Sequence, residues 1–185
     1  MSRIQVWKQS FADSSRSFEG SFAGLSSGEL NWTPQESAWS VGQIIDHLIR
    51  INESYYPVLD QLKGGRNPVP WIAKINFVPP YFGKFILRSV EPERRKKMTT
   101  FPLWEPTSSA VGVDVVERFA AHHQTLVEKL DTHQDLFGKG TIISSPANRY
   151  VVYPLDTAIE IMIQHEKRHY NQALEVMALQ KGTQY

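Results

Sequence analysis

Residues 154–177 read PLDTAIEIMIQHEKRHYNQALEVM, and this segment predicts both the architecture and the chemistry of the chain. On a helical wheel its apolar residues fall on one stripe, which predicts an amphipathic helix that faces a core. The apolar members of the stripe are Leu155, Ala158, Ile159, Met162, Ala173, Val176 and Met177. His165, Glu166 and His169 fall on the same stripe, so three polar side chains are predicted to face the core.

Three buried polar side chains need compensating partners. A buried imidazole or carboxylate without a partner costs about 1–3 kcal/mol or more, a large fraction of a net stability of about 5–15 kcal/mol. His165 and His169 are four residues apart, so on a helix their Cβ atoms lie about 5–6 Å apart and both rings can reach one metal ion. The alternative is that the histidines are core residues hydrogen-bonded to neighbouring helices.

Composition limits the classes of protein to which the chain can belong. Its 185 residues are 41% hydrophobic, enough for one buried core, so we expect a single domain over residues 1–185. The formal net charge of +1 provides no field for attracting nucleic acid or a membrane surface. The chain has no cysteine, which excludes disulfides and thiolate ligands. Because neither a signal peptide nor a membrane-spanning run is recognisable, we expect a cytoplasmic protein.

Apolar periodicity predicts three further helices, over residues 4–25, 40–62 and 113–130. The second opens with a capping box formed by Ser40 and Gln43. Seven of the eleven prolines lie between residues 64 and 110, which predicts a long crossover with only a short helix at residues 81–88. The predicted fold class is therefore all-α: a four-helix bundle in up-down-down-up order, with the long crossover between helices 2 and 3.

Smaller features of the chain carry weaker signals. The crossover is rich in aromatic residues, which predicts an ordered cover that walls a pocket; they are Trp71, Phe77, Tyr81, Phe101 and Trp104. The basic run at residues 94–97 is interpreted as a solvated turn, because acidic residues flank it. Residues 150–153 resemble a short strand too isolated to form a sheet.

Four histidines lie outside the C-terminal segment. His47 falls at the edge of the apolar face of the second helix and is the natural third ligand of an ion held by His165 and His169, since bundle sites are assembled from facing helices. His123 falls on the apolar face of the third helix and is either a reserve ligand, a proton shuttle or a hydrogen-bonded core residue. The remaining two, His122 and His133, are predicted to lie on the surface.

Residues 165–169 match the H-E-x-x-H motif, in which two helical histidines bind zinc and the glutamate activates water. A peptidase of this kind needs a further ligand downstream, and the only candidate, Glu175, lies on the same helix and faces away. No sheet is predicted that would hold an extended peptide. The motif alone therefore does not indicate a protease.

Three segments resemble the DinB/YfiT-like superfamily: LNWTP at residues 30–34, WSVGQIIDHL at 39–48 and HEKRHYNQ at 165–172. The resemblance covers nearly the whole chain. It implies a four-helix bundle in up-down-down-up order, often a homodimer, and a divalent ion such as nickel, zinc or iron. By matching position the metal ligands are His47, His165 and His169, the same three residues that the helical wheels select.

Some members of that superfamily transfer low-molecular-weight thiols such as bacillithiol or mycothiol, so the resemblance implies a thiol S-transferase acting on a small-molecule substrate. Three imidazoles leave positions on the ion open, as expected of a catalytic site. Glu166 is expected to act as a base or to orient a ligand histidine, whereas Lys167 and Arg168 are expected to face solvent. The alternatives are a non-enzymatic, stress-related small-molecule-binding bundle with a structural metal, a metal-dependent hydrolase, and a helical interaction protein without an ion.

Overall fold

The computed structural model describes residues 1–92, 100–106 and 110–183, and there the chain is mostly helical. The helices are α1 (Arg3–Phe22), α2 (Ser27–Asn31), α3 (Val41–Glu53), α4 (Tyr56–Lys63), α5 (Val78–Ser89), α6 (Val115–Thr132) and α7 (Leu155–Thr183). Two strands, β1 (Ile142–Ser145) and β2 (Asn148–Pro154), pair antiparallel. The helical class is thus confirmed, and a small sheet accompanies it. No helix in the described ranges is long and apolar enough to cross a membrane.

The core lies between four long helices. Both α1 and α3 pack against α6 and α7, so each of the first pair touches each of the second. The predicted capping box fixes where α3 begins: Ser40 accepts from the Gln43 backbone, and the Gln43 side chain accepts from the Ser40 backbone. The start predicted for the second helix is therefore confirmed.

The predicted second helix is interrupted. Instead of running unbroken to residue 62, the chain ends α3 at Glu53 and begins α4 at Tyr56. Pro57 lies in the first turn of α4 and has no N–H to donate to the preceding turn, which explains the break. Ser54 and Tyr55 still have right-handed helical backbone angles, so the chain direction changes little at this point.

Residues 150–153 lie in a strand, as predicted, but the prediction that this strand is too isolated to form a sheet is wrong. β2 pairs with β1 so that Tyr153 lies opposite Ile143 and Val152 lies opposite Ser144. The partner was hidden in a segment rich in glycine, where Gly138 and Gly140 adopt positive φ angles just before β1. The hairpin packs against α5, which lies in the predicted crossover. The basic run at residues 94–97 lies outside the described residues.

Candidate metal centre

The three predicted ligand residues lie together inside the bundle. His47 is on α3, while His165 and His169 are one turn apart on α7. Each ring offers a nitrogen atom, and these three atoms all lie within 4.8 Å of one another. The Nε2 atoms of His165 and His169 are 3.0 Å apart. The helical period therefore placed the three rings correctly.

A backbone contact determines which nitrogen of His47 is free. Its Nδ1 lies 2.6 Å from the carbonyl oxygen of Trp104. A carbonyl oxygen can only accept a hydrogen bond, so Nδ1 carries the proton and Nε2 keeps its lone pair. The Trp104 side chain is held in turn by the hydroxyl of Ser54, to which its Nε1 donates at 3.1 Å. His47 is thus held in the tautomer that a ligand needs.

Burial keeps the three imidazoles neutral. It lowers the pKa of His47 to about 4, against a smaller opposing effect of the Trp104 carbonyl and Asp46. Burial, together with the neighbouring charge of His47, lowers the pKa of His169 to about 3. Burial and the charges of His169 and His47 also hold the pKa of His165 well below its usual value. At neutral pH all three rings therefore have lone pairs available for a cation.

The donor set fits a divalent ion. Two nitrogen ligands on a tetrahedral zinc ion at 2.0–2.1 Å lie roughly 3.3 Å apart, and the Nε2 atoms of His165 and His169 are 3.0 Å apart without an ion. Two such lone pairs repel unless a proton or a cation lies between them. Three neutral nitrogen donors suit zinc, nickel and iron alike.

The three histidines line a cavity of about 550 Å³. Phe101 and Trp104 of the crossover also line it, which confirms the predicted wall for these two aromatic residues. The other three crossover aromatics are largely exposed: Trp71 by 71%, Phe77 by 74% and Tyr81 by 65%. The cavity is therefore closed by only part of the aromatic cover.

Arg168 lies on the cavity wall, so the expectation that it faces solvent is wrong. Its guanidinium donates to the backbone carbonyl of Ser89 at the end of α5, at 2.7 Å. The helical wheel placed it opposite the core of the bundle, but α5 covers that side of α7. Lys167 is exposed, as expected.

Glu166 has neither of its two expected roles. Its carboxylate is 1% exposed and does not line the cavity. One oxygen accepts from Nδ2 of Asn52 at 2.8 Å and lies 3.0 Å from Nε2 of His123. Burial alone would raise the pKa of Glu166, but the charge and hydrogen bond of His123, with hydrogen bonds from Ser14 and Asn52, lower it. Glu166 therefore links α7 to α3 and α6, and His123 is its core partner.

The other two histidines are buried, so the prediction that they lie on the surface is wrong. His122 is 6% exposed, because the ring of Tyr56 on α4 stacks over it and the Tyr56 hydroxyl lies 3.0 Å from its Nδ1. His133 is 4% exposed and its Nδ1 lies 2.9 Å from the carbonyl oxygen of Lys129. The Nε2 of His133 also lies 3.3 Å from a carboxylate oxygen of Asp60 on α4, so both histidines contact a helix that the pattern of α6 alone does not reveal.

Among the hydroxyl-bearing residues that line the cavity, sequence reasoning missed Tyr55, Ser145 and Tyr153 as members of the site. Tyr55 was assigned to an apolar face, where a tyrosine hydroxyl gives no periodic signal. The two residues of the hairpin were missed because the pairing of β1 with β2 was not predicted.

Comparison with known proteins gives one match. Neither a search of curated proteins nor a search of solved structures finds a similar protein. The sequence model of the DinB superfamily matches residues 11–173, which is most of the chain and includes all three histidines of the cluster. The chain therefore belongs to the DinB superfamily.

Proposed function

We propose that this protein is a metal-dependent enzyme acting on a small molecule, with His47, His165 and His169 as ligands of a divalent ion such as nickel, zinc or iron. The observation that carries the proposal is the convergence of three neutral imidazoles on the wall of a cavity of about 550 Å³. A closed structural site would use a fourth protein ligand. Three ligands beside a cavity favour a site that admits a substrate.

The reaction that we propose is the transfer of a low-molecular-weight thiol of the bacillithiol or mycothiol type. When bound, the ion would lower the pKa of a thiol at the site. The chain's own residues prepare the cavity: the Trp104 carbonyl orients His47, and the indole of Trp39, 4.6 Å from the His47 ring, shields it from water. Arg168 places a positive charge on the same wall, which favours a substrate that carries an anionic group.

The arrangement of the chain is part of the same proposal. We propose a single domain in which α1, α3, α6 and α7 run up-down-down-up, which the long connection between α3 and α6 supports.

We also propose a homodimer. The exposed rings of Trp71, Phe77, Tyr81 and Phe85 support it, since each is at least half exposed and together they offer an apolar surface. Sedimentation equilibrium tests the dimer, and a monomer at micromolar concentration would refute it.

Metal analysis tests the proposed ligands. Purified protein is stripped with a chelator, reloaded with zinc, nickel or iron, and its metal content is measured. We expect one ion per chain in the wild type and in His133→Asn, and loss of the ion in His47→Ala and His165→Ala. His133 is the matched control because it is a buried histidine that does not line the cavity. Equal metal content in all four proteins would refute the site.

A thiol screen tests the reaction. Metal-loaded protein is given bacillithiol, mycothiol, glutathione or coenzyme A together with one electrophile, and consumption of the thiol is followed. We expect saturable turnover with one thiol and none in His47→Ala. A protein that is stabilised by its ion but turns over no thiol would instead indicate the non-enzymatic bundle with a structural metal.

A further inference from the structure

Three hydroxyl groups meet at the cavity wall away from the histidine cluster. The hydroxyl oxygen atoms of Tyr55 and Tyr153 are 2.6 Å apart, and the Ser145 hydroxyl is hydrogen-bonded to that of Tyr153. All three residues line the cavity that holds the histidines. The two tyrosines are 4% and 1% exposed, so bulk water does not solvate this hydroxyl cluster.

One hydroxyl proton of the cluster is not used in a hydrogen bond within the cluster. Three hydroxyls carry three protons, and two bonds between them use two. The backbone N–H of Ala147 points to the Ser145 oxygen at 3.4 Å, which adds a donor and no acceptor. Burial raises the pKa of Tyr55 and of Tyr153, so both stay protonated at neutral pH. The cluster therefore has a hydrogen-bond donor to offer on the cavity wall.

Along the helix axis, Tyr55 of the hydroxyl cluster lies about two turns beyond His47 of the proposed metal site. Tyr55 follows His47 by eight residues, and the backbone stays helical through Ser54 and Tyr55. At 1.5 Å per residue their Cα atoms lie about 12 Å apart along the axis. The wall between them is apolar and is built by Ile51 of α3 with Ile161 and Met162 of α7.

We propose that the hydroxyl cluster of Tyr55, Tyr153 and Ser145 binds a hydrogen-bond-accepting group of the substrate, such as a carbonyl, ether or hydroxyl oxygen. The substrate class is then an elongated small molecule: one end reaches the three histidines, the middle is apolar, and the far end accepts a hydrogen bond. The proposal rests on the proposed function for the histidine end. It adds a determinant of specificity at the opposite end of the same cavity.

Binding of alkanethiols to cobalt-loaded protein tests whether the hydroxyl cluster binds such a group. Straight-chain alkanethiols of three to ten carbon atoms are titrated in, and ligation of the cobalt is followed by its visible absorption. Each thiol is compared with versions that carry a terminal hydroxyl or a terminal methoxy group. We expect the terminal oxygen to strengthen binding about fivefold at one intermediate chain length, in line with one hydrogen bond. The methoxy group should retain the gain, because the hydroxyl cluster donates.

Conservative variants separate this contribution from packing. Tyr55→Phe and Tyr153→Phe keep the rings. Each variant still has a spare hydroxyl proton but changes which hydroxyl carries it, so we expect the gain to be lost at the chain length that is optimal for the wild type, while the plain alkanethiols bind as before. Tyr170→Phe is the matched control, because the Tyr170 hydroxyl bonds Ser21 at 2.8 Å and does not line the cavity. A gain that is equal at all chain lengths, or that survives in both tyrosine variants, would overturn the inference.

The same titrations distinguish a failure of the proposed function from a failure of the inference about the hydroxyl cluster. Protein that binds no cobalt overturns the metal site, and this inference with it. If cobalt binds but takes no thiol, thiol transfer fails. The same tails are then attached to a hydroxamate, which ligates the metal through oxygen, and the chain-length optimum and its loss in Tyr55→Phe are measured on that series.

Discussion

Replacing Glu166 by glutamine is expected to destabilise the protein without removing its metal. The Glu166 carboxylate is 1% exposed; its Oε1 accepts hydrogen bonds from Asn52 and His123, and Ser14 adds a further one. Hydrogen bonds to a charged group contribute about 1.5–3 kcal/mol and neutral ones about 0.5–1.5 kcal/mol, so two weakened bonds cost about 2 kcal/mol. Relief from burying the charge offsets part of this. Glu166→Leu leaves these donors without an acceptor and is expected to cost about 4 kcal/mol.

The measurement is urea unfolding of chelator-treated protein, followed by circular dichroism. In a thermal melt of a chain of this length, the same losses would lower the melting temperature by about 6 °C for Glu166→Gln and by about 12 °C for Glu166→Leu. Glu175→Gln is the matched control, since Glu175 is an exposed carboxylate on the same helix and its replacement is expected to change stability by less than about 0.5 kcal/mol. Metal content after reloading is measured on the same samples.

Two results would refute this reasoning about Glu166. If Glu166→Gln unfolds at the same urea concentration as Glu175→Gln, the buried carboxylate contributes no net stability. If Glu166→Gln stays fully stable but loses its metal, the carboxylate acts on the ion, as the H-E-x-x-H motif implies, and its hydrogen bonds to Asn52 and His123 do not describe its role. Loss of stability with retained metal is the only combination that the structure predicts.

Three further predictions follow from the same structure. Between pH 4 and 6.5 an imidazole with a lowered pKa is neutral in the folded protein but protonated in the unfolded protein, so metal-free protein should lose stability as the pH falls from about 6.5 towards 4. Burial lowers the pKa of His47 and of His122 to about 4. In urea titrations at pH 5, each of these two histidines should therefore lower the free energy of unfolding by roughly 2 kcal/mol. Ser40→Ala removes the cap of α3 and should cost about 1 kcal/mol in thermal melts, whereas Ser27→Ala should cost almost nothing. Zinc or nickel at a hundred times its dissociation constant should stabilise the wild type by about 2.7 kcal/mol and leave the melting curve of His47→Ala unchanged.

The part of the site that follows from one helix could be predicted from the sequence. Helical periodicity fixes which residues of a segment share a face, so the inward positions of His165 and His169 follow from the segment itself. His47 required a second amphipathic segment, which its capping box and apolar spacing supplied. The overall helical class followed for the same reason, since each long helix has a clear apolar face.

The other features of the site depend on contacts between segments of the chain, and helical periodicity does not predict such contacts. Periodicity gives the face of a residue but not the element that covers that face. Arg168 lies on a cavity wall only because α5 packs there, and His122 is buried only because Tyr56 lies over it. The short helix predicted at residues 81–88 is α5, which begins three residues earlier, at Val78; its packing against α7 was not predicted. The strand at residues 150–153 was predicted, but its partner β1 was missed because β1 is too short and too polar to stand out.

Glu166 and His165 both fall on the inward face of α7 on a helical wheel, but their surroundings differ. Consecutive residues of a helix point about 100° apart, so His165 faces the cavity while Glu166 faces Asn52 and His123. The two residues share the buried side of α7 and yet have no common partner. Spacing within a motif therefore does not establish that its members act together.

This separation bears on which reaction the cavity supports. Hydrolysis of the H-E-x-x-H kind uses the glutamate of the motif as its base, and here that glutamate is committed to Asn52 and His123 instead. Among the described residues that line the cavity the only carboxylate is that of Glu105, which is exposed at the end of the crossover. A thiol has a pKa near 8.5, so beside a cation it ionises at neutral pH without a protein base. A cavity with three neutral imidazoles, an arginine and no buried carboxylate thus favours thiol transfer over hydrolysis. Glu105→Gln tests whether thiol transfer is independent of a carboxylate: thiol consumption should be unchanged in this variant, and its loss would show that the reaction depends on Glu105.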